Sequence, residues 1–103
     1  MSDAEVQPLF VSALRRVVLH LIMNGQPWYA ELLPWLSAAD RGDWGRLDDE
    51  MKLAHLNELE SNVLFRREGL GEFFGGSDVL DRSLFQELAL ACEAYRKHLR
   101  RWL

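Results

Sequence analysis

His55 and Glu58 stand three residues apart, with Glu60 close behind. On a helix that spacing puts an imidazole and a carboxylate on one face, and with Glu60 they could begin a carboxylate-rich metal site. Di-metal helical bundles, however, gather several inward carboxylates and repeated Glu-x-x-His pairs. The chain carries no second motif of that kind, so these positions read as solvated polar residues. His20 and His98 complete the histidines. His20 can face the interior and hydrogen-bond there, but as a catalytic base it lacks a visible partner. Cys92, the single cysteine, falls at the margin of an apolar helix side with no histidine near it in sequence. It reads as a small buried hydrophobe, because a nucleophilic thiol needs an accessible, electropositive setting. No catalytic residue, metal site or cofactor is expected, and the chain is not expected to be an enzyme.

The run Gly69-Leu70-Gly71-Glu72-Phe73-Phe74-Gly75-Gly76 superficially suggests a phosphate cradle. A phosphate-binding fingerprint follows a strand and opens a helix at fixed spacing. Neither context is present here, and Glu72 would repel phosphate, so a turn between helices is expected. Arg96, Lys97, His98, Arg100 and Arg101 form the one dense basic patch, interleaved with Tyr95 and Trp102. Such a patch could touch phosphates, which makes a nucleic-acid-binding regulator the competing reading. The same residues also suit the negative end of a helix macrodipole, and Arg66-Arg67 repeat the pattern at another predicted helix end. Asp40, Asp43, Asp48, Asp49 and Glu50 form an acidic stretch, and the net charge is −4. Both weigh against nucleic acid, whose binding relies on a basic excess.

Four tryptophans are many for 103 residues. Trp28, Trp35 and Trp44 bracket the Pro34 break and a Gly-rich turn rather than the middle of a well-patterned helix. Large aromatics in irregular segments are enriched at protein interfaces and their hot spots; they can equally plug the top of a small bundle. The expected partner-binding set is Trp28, Trp35 and Trp44, with Leu56, Leu59 and Val63 from the helix that follows.

Helices must position these groups. The last one, 78–103, is the best specified. Leu80, Leu84, Leu88, Ala91, Tyr95, Leu99 and Trp102 recur at steps of three and four, which is one side of an amphipathic helix. From Leu9 to Met23 the chain is apolar almost all round, with Ser12, Arg16 and His20 as one thin polar stripe. That pattern predicts the most buried helix. Pro8 suits a first turn, and Asn24-Gly25 suits a C-terminal cap. Trp28, Leu32, Trp35 or Leu36, and Ala39 again keep helical spacing, and Pro34 predicts a kink or a second helix start. Arg41-Gly42-Asp43-Trp44-Gly45 is a turn. A third helix, Leu47 to Arg67, carries Leu47, Met51 and Ala54 on one side and Leu56, Leu59 and Val63 on another. Ser77 or Asp78 caps the last helix.

The stretch Trp35-Leu36-Ser37-Ala38-Ala39-Asp40-Arg41-Gly42-Asp43-Trp44-Gly45-Arg46-Leu47 resembles the helix-turn-helix junction of small flagellar export chaperones, which often carry a Gly-Asp-Trp turn there. The resemblance is confined to residues 35–47. It implies a helical hairpin at this point and places export chaperone among the possible roles.

At 49% hydrophobic and 27% charged residues, the composition is that of one globular domain, 1–103, with 1–7 as a flexible tail. One cysteine allows no intrachain disulfide framework. The acidic Met1–Glu5 start does not suit a signal peptide, and Val17–Met23, interrupted by His20, is too short to span a bilayer. A cytoplasmic address without membrane contact is expected. The expected fold is all-α, a compact bundle of four or five helices with a long C-terminal amphipathic helix. Its helices carry more apolar face than so short a chain should hide. The expected function is therefore a non-enzymatic protein-binding module that sequesters or inhibits a partner: an antiactivator of a transcription factor, an immunity or antitoxin protein, or an export chaperone. A homodimer is expected, because symmetric pairing buries such surface with a single patch.

Overall fold

The structure, a computed structural model, describes residues 3–25, 29–64 and 79–101, and the side chains of 5–25, 29–62 and 82–101. Within them lie four α-helices: α1 (Asp3–Met23), α2 (Tyr29–Asp40), α3 (Asp49–Leu59) and α4 (Val79–Arg100). A 3-10 turn, Trp44–Arg46, joins α2 to α3, and a π turn, Glu60–Leu64, continues α3. No strand occurs among the described residues. The fold is an all-α bundle, as the 3.6-residue periodicity predicts.

α1 and α4 form the core pair and run antiparallel. Gln7 and Phe10 meet Tyr95 near one end, and Arg16 meets Glu87 nearer the other. From α1 the core takes Val6, Phe10, Ala13, Leu14, Val17, Val18 and Leu21. From α4 it takes Leu88, Cys92, Tyr95 and Leu99, a run from the stripe that the spacing predicts. Leu32 and Leu36 of α2 and Leu56 and Leu59 of α3 close the remaining sides.

Several boundaries differ from expectation. α1 begins at Asp3 rather than beyond residue 7, because Val6 is drawn into the core and takes its turn with it. Pro8 therefore lies inside the helix, not in its first turn, and forgoes one backbone bond there. Nor is α1 wet on only a thin stripe: Leu9, Leu19, Ile22 and Met23 are exposed. The segment Glu5–Met23 has the length and mean hydropathy, 1.4, of a membrane-crossing helix. In the bundle this same apolarity supplies the central strut of the core. At Pro34 the chain neither stops nor restarts, since α2 runs unbroken from Tyr29 to Asp40.

The caps follow local chemistry. Gly25, at φ 67°, ends α1, and its N–H donates to the Ile22 carbonyl at 3.1 Å. That left-handed conformation is one that glycine adopts without strain. Gly42, at φ 79°, does the same in the turn after α2. Asp48 caps α3, its carboxylate accepting from the Met51 N–H at 2.8 Å. Arg66-Arg67, the Gly69–Gly76 run and the cap at Ser77 or Asp78 lie outside the described residues.

Candidate functional site

Three elements meet at a cleft of about 290 Å³ lined by Pro34, Trp35, Ala38, Trp44, His55 and Glu58. Pro34, Trp35 and Ala38 share one face of α2, and Glu31 precedes Trp35 by one turn on that face. Trp35 is half-buried, so part of its ring forms a wall open to solvent. The opposite wall is the His55 and Glu58 face of α3, and Trp44 closes the floor.

Trp44 is held from below. Its Nε1–H donates to the Tyr95 hydroxyl at 3.1 Å, and the Tyr95 hydroxyl donates to Gln7 Oε1 at 3.4 Å. Its ring centre lies 6.0 Å from Phe10 and 6.1 Å from Tyr95, the latter edge-to-face. At 3% exposure Trp44 is a core residue and not a surface anchor. His55 packs its ring 6.2 Å from Trp44, tilted by 54°. His55 Nδ1 and Glu58 Oε2 are 3.9 Å apart, beyond hydrogen-bond reach. Glu60 turns away from both and pairs with Arg96. The three residues that could have begun a metal site are thus divided between two surroundings. Among the described residues, no three or more His, Cys, Asp or Glu gather where a metal ion could be held.

Among the described residues of the expected partner-binding set, Trp35 alone lines the cleft with part of its ring open. Leu56 and Leu59 are fully buried, a correction to their expected place on a docking face. They point at α4, where the Leu56 carbonyl accepts from Cys92 Sγ at 3.9 Å. Trp28 and the side chain of Val63 lie outside the described residues. Among the described residues of the α4 stripe, Leu88, Tyr95 and Leu99 are likewise buried, under α1 and α3, so the exposed apolar side chains do not lie there. They lie on α1 and on the outer side of α4, at Leu9, Leu19, Ile22, Met23 and Leu90, with Leu33 and Met51 beyond them.

Cys92 is completely buried. Burial first, and the neighbouring Glu93 charge second, push its thiol up to about 12. It is a small core residue, as its position on the α4 pattern predicts. In the basic patch, Arg96 is occupied: its guanidinium makes a largely buried ion pair with Glu60. Burial, and then Arg100, lower its pKa from the ordinary value. Lys97 pairs with Glu93 at 3.3 Å, one turn earlier, and His98 is buried. Lys97, Arg100 and Arg101 remain on the surface, a narrower basic face than the composition of the segment implies.

Pro34 and Ala38 carried no signal in the sequence as cleft residues. A helical face shared with Trp35 could have found Ala38. Only the meeting of α2 with α3 could identify the cleft itself. No family model, curated protein or solved structure matches the chain, so the likeness of residues 35–47 to export chaperones stands on that stretch alone.

Proposed function

We propose that this chain is a small non-enzymatic protein-binding module that sequesters or inhibits another protein, and that its partner seats an anchor in the Trp35 cleft. The observation that carries this reading is a half-buried tryptophan forming one wall of a concave apolar site. Interface hot spots favour that setting, where a large rigid ring is half prepared for burial before the partner arrives. Glu58 on the rim, exposed by about half its side chain, suits a basic residue beside the anchor. Antiactivator, immunity or antitoxin protein, and export chaperone are the roles this chemistry fits, in a cytoplasmic setting. The site offers a grip and a charge, which suits binding.

The test starts from affinity capture in the native cell, followed by titration of the captured protein, purified, against wild type and Trp35→Ala. The expected loss is about 2 kcal/mol or more, roughly thirtyfold in affinity, with the thermal midpoint lowered far less than by Trp44→Ala. Equal affinity for both chains, or a Trp35→Ala chain that unfolds, would remove this reading.

A further inference from the structure

A second surface, which shares no lining residue with the cleft, lies where α1 and α4 run side by side. Between them is a groove of about 230 Å³ whose lining includes Leu9, Ala13, Ala91 and Ala94, with Leu90 on its edge. Leu9 is 55% exposed and Leu90 57%, and both rise beside small residues. An ion pair, Arg16 with Glu87 at 2.9 Å, closes one end of the groove. We propose that this face is the contact surface of a symmetric dimer of the chain.

The occupant follows from the register. Gln7 stands beside Tyr95 and Arg16 beside Glu87, so Leu9 is level with Ala94 and Ala13 with Leu90. A two-fold axis parallel to the helices therefore lays Leu9 over the partner's Ala94, which is exposed, and Leu90 over the partner's groove, whose buried floor is the partner's Ala13. Each large side chain meets a small residue or the groove. The same operation sets Arg16 against the partner's Glu87 and Glu87 against the partner's Arg16, so unlike charges oppose each other there. A self-complementary patch of this kind is what a two-fold interface requires. Leu19, Ile22, Met23 and Leu33 are exposed as well, outside this groove. Size is adequate too: two adjacent helices of about 30 Å, with axes about 10 Å apart, present a face comparable to the roughly 800 Å² per partner of a standard interface. This dimer uses none of the cleft residues, and either proposal can fail without the other.

Light scattering and sedimentation on the purified chain provide the test. The expected mass is twice 12.0 kDa, and Leu9→Glu and Leu90→Glu should each reduce it to a single chain with unchanged helical circular dichroism. Leu19→Glu should leave the dimer intact. A geometric check mixes a Leu9→Cys chain with an Ala94→Cys chain; oxidation should link them, while buried Cys92 stays out of the reaction. A wild-type monomer at every attainable concentration overturns the proposal, and a monomer destabilised by Leu90→Glu would assign the face to the chain's own residues. A dimer insensitive to Leu9→Glu and Leu90→Glu, or one broken by Leu19→Glu, overturns it equally by placing the contact elsewhere.

Discussion

Trp44 donates its indole N–H to the Tyr95 hydroxyl across 3.1 Å in the buried centre of the bundle. The bond ties the α2–α3 turn to α4, between residues 51 positions apart. Removing the acceptor in Tyr95→Phe leaves a buried donor unmet, which costs about 1–3 kcal/mol. Thermal unfolding should record a lower midpoint. A double-mutant cycle with Trp44→Phe should give a coupling clearly different from zero, since the two side chains touch. Strict additivity would mean the bond contributes nothing.

Trp44→Ala should damage the fold far more than Trp35→Ala. The first removes a ring packed on Phe10 and Tyr95, and such truncations cost about 3–5 kcal/mol. The second trims a ring that packs partly against the core and is partly open. Urea denaturation of the two variants side by side decides the matter, and a similar cost for both would place Trp35 in the core as well.

The Arg96 and Glu60 ion pair is largely buried, whereas Arg15 with Asp40 and Arg16 with Glu87 are about half exposed. Glu60→Gln removes the charge opposite a guanidinium whose Nε has no hydrogen-bond partner among the described residues, and a loss of about 1–3 kcal/mol is expected. Asp40→Asn should cost only about 0–1 kcal/mol. Chemical denaturation of both variants measures the contrast, and a reversed order would show that the burial of Glu60 is not what governs it.

Alkaline stability should carry the signature of Cys92. Its folded thiol titrates at about 12 against an ordinary 9.0, so folding favours the protonated form. That contribution is complete below 9.0 and is lost as the pH climbs toward about 12, because the unfolded chain releases its proton first. Cys92→Ala should lower stability near neutrality through the cavity it leaves, yet flatten the decline over that alkaline window. Native Cys92 should also resist thiol reagents until denaturant is added. Rapid labelling of the folded protein would contradict this.

Much of the fold was legible before the structure. The steps of three and four along α4 correctly place Leu88, Tyr95 and Leu99 inside, since periodicity reports which side of a helix avoids water. Asn24-Gly25 and the Arg41–Asp43 turn were equally readable, because both depend on local backbone chemistry. The candidate site was legible only in part. Trp35 was singled out for its aromatic bulk beside Pro34, and it lines the cleft. Trp44 was singled out for the same reason and is core. Nothing local in the sequence separates the two: one tryptophan follows Pro34 and the other precedes Gly45.

By itself the sequence determined the element type, the inward side of α4 and the glycine stop after α1, each set within a few turns of chain. Tertiary structure alone decided what covers each apolar side. Leu56 and Leu59 are hidden because α4 happens to lie over them, and Leu9 and Leu90 are bare because no described element crosses the α1–α4 groove. Covering depends on contacts between residues distant in sequence, and hydrophobic burial is non-directional. A stripe therefore announces that it needs a neighbour without saying whether that neighbour belongs to the same chain.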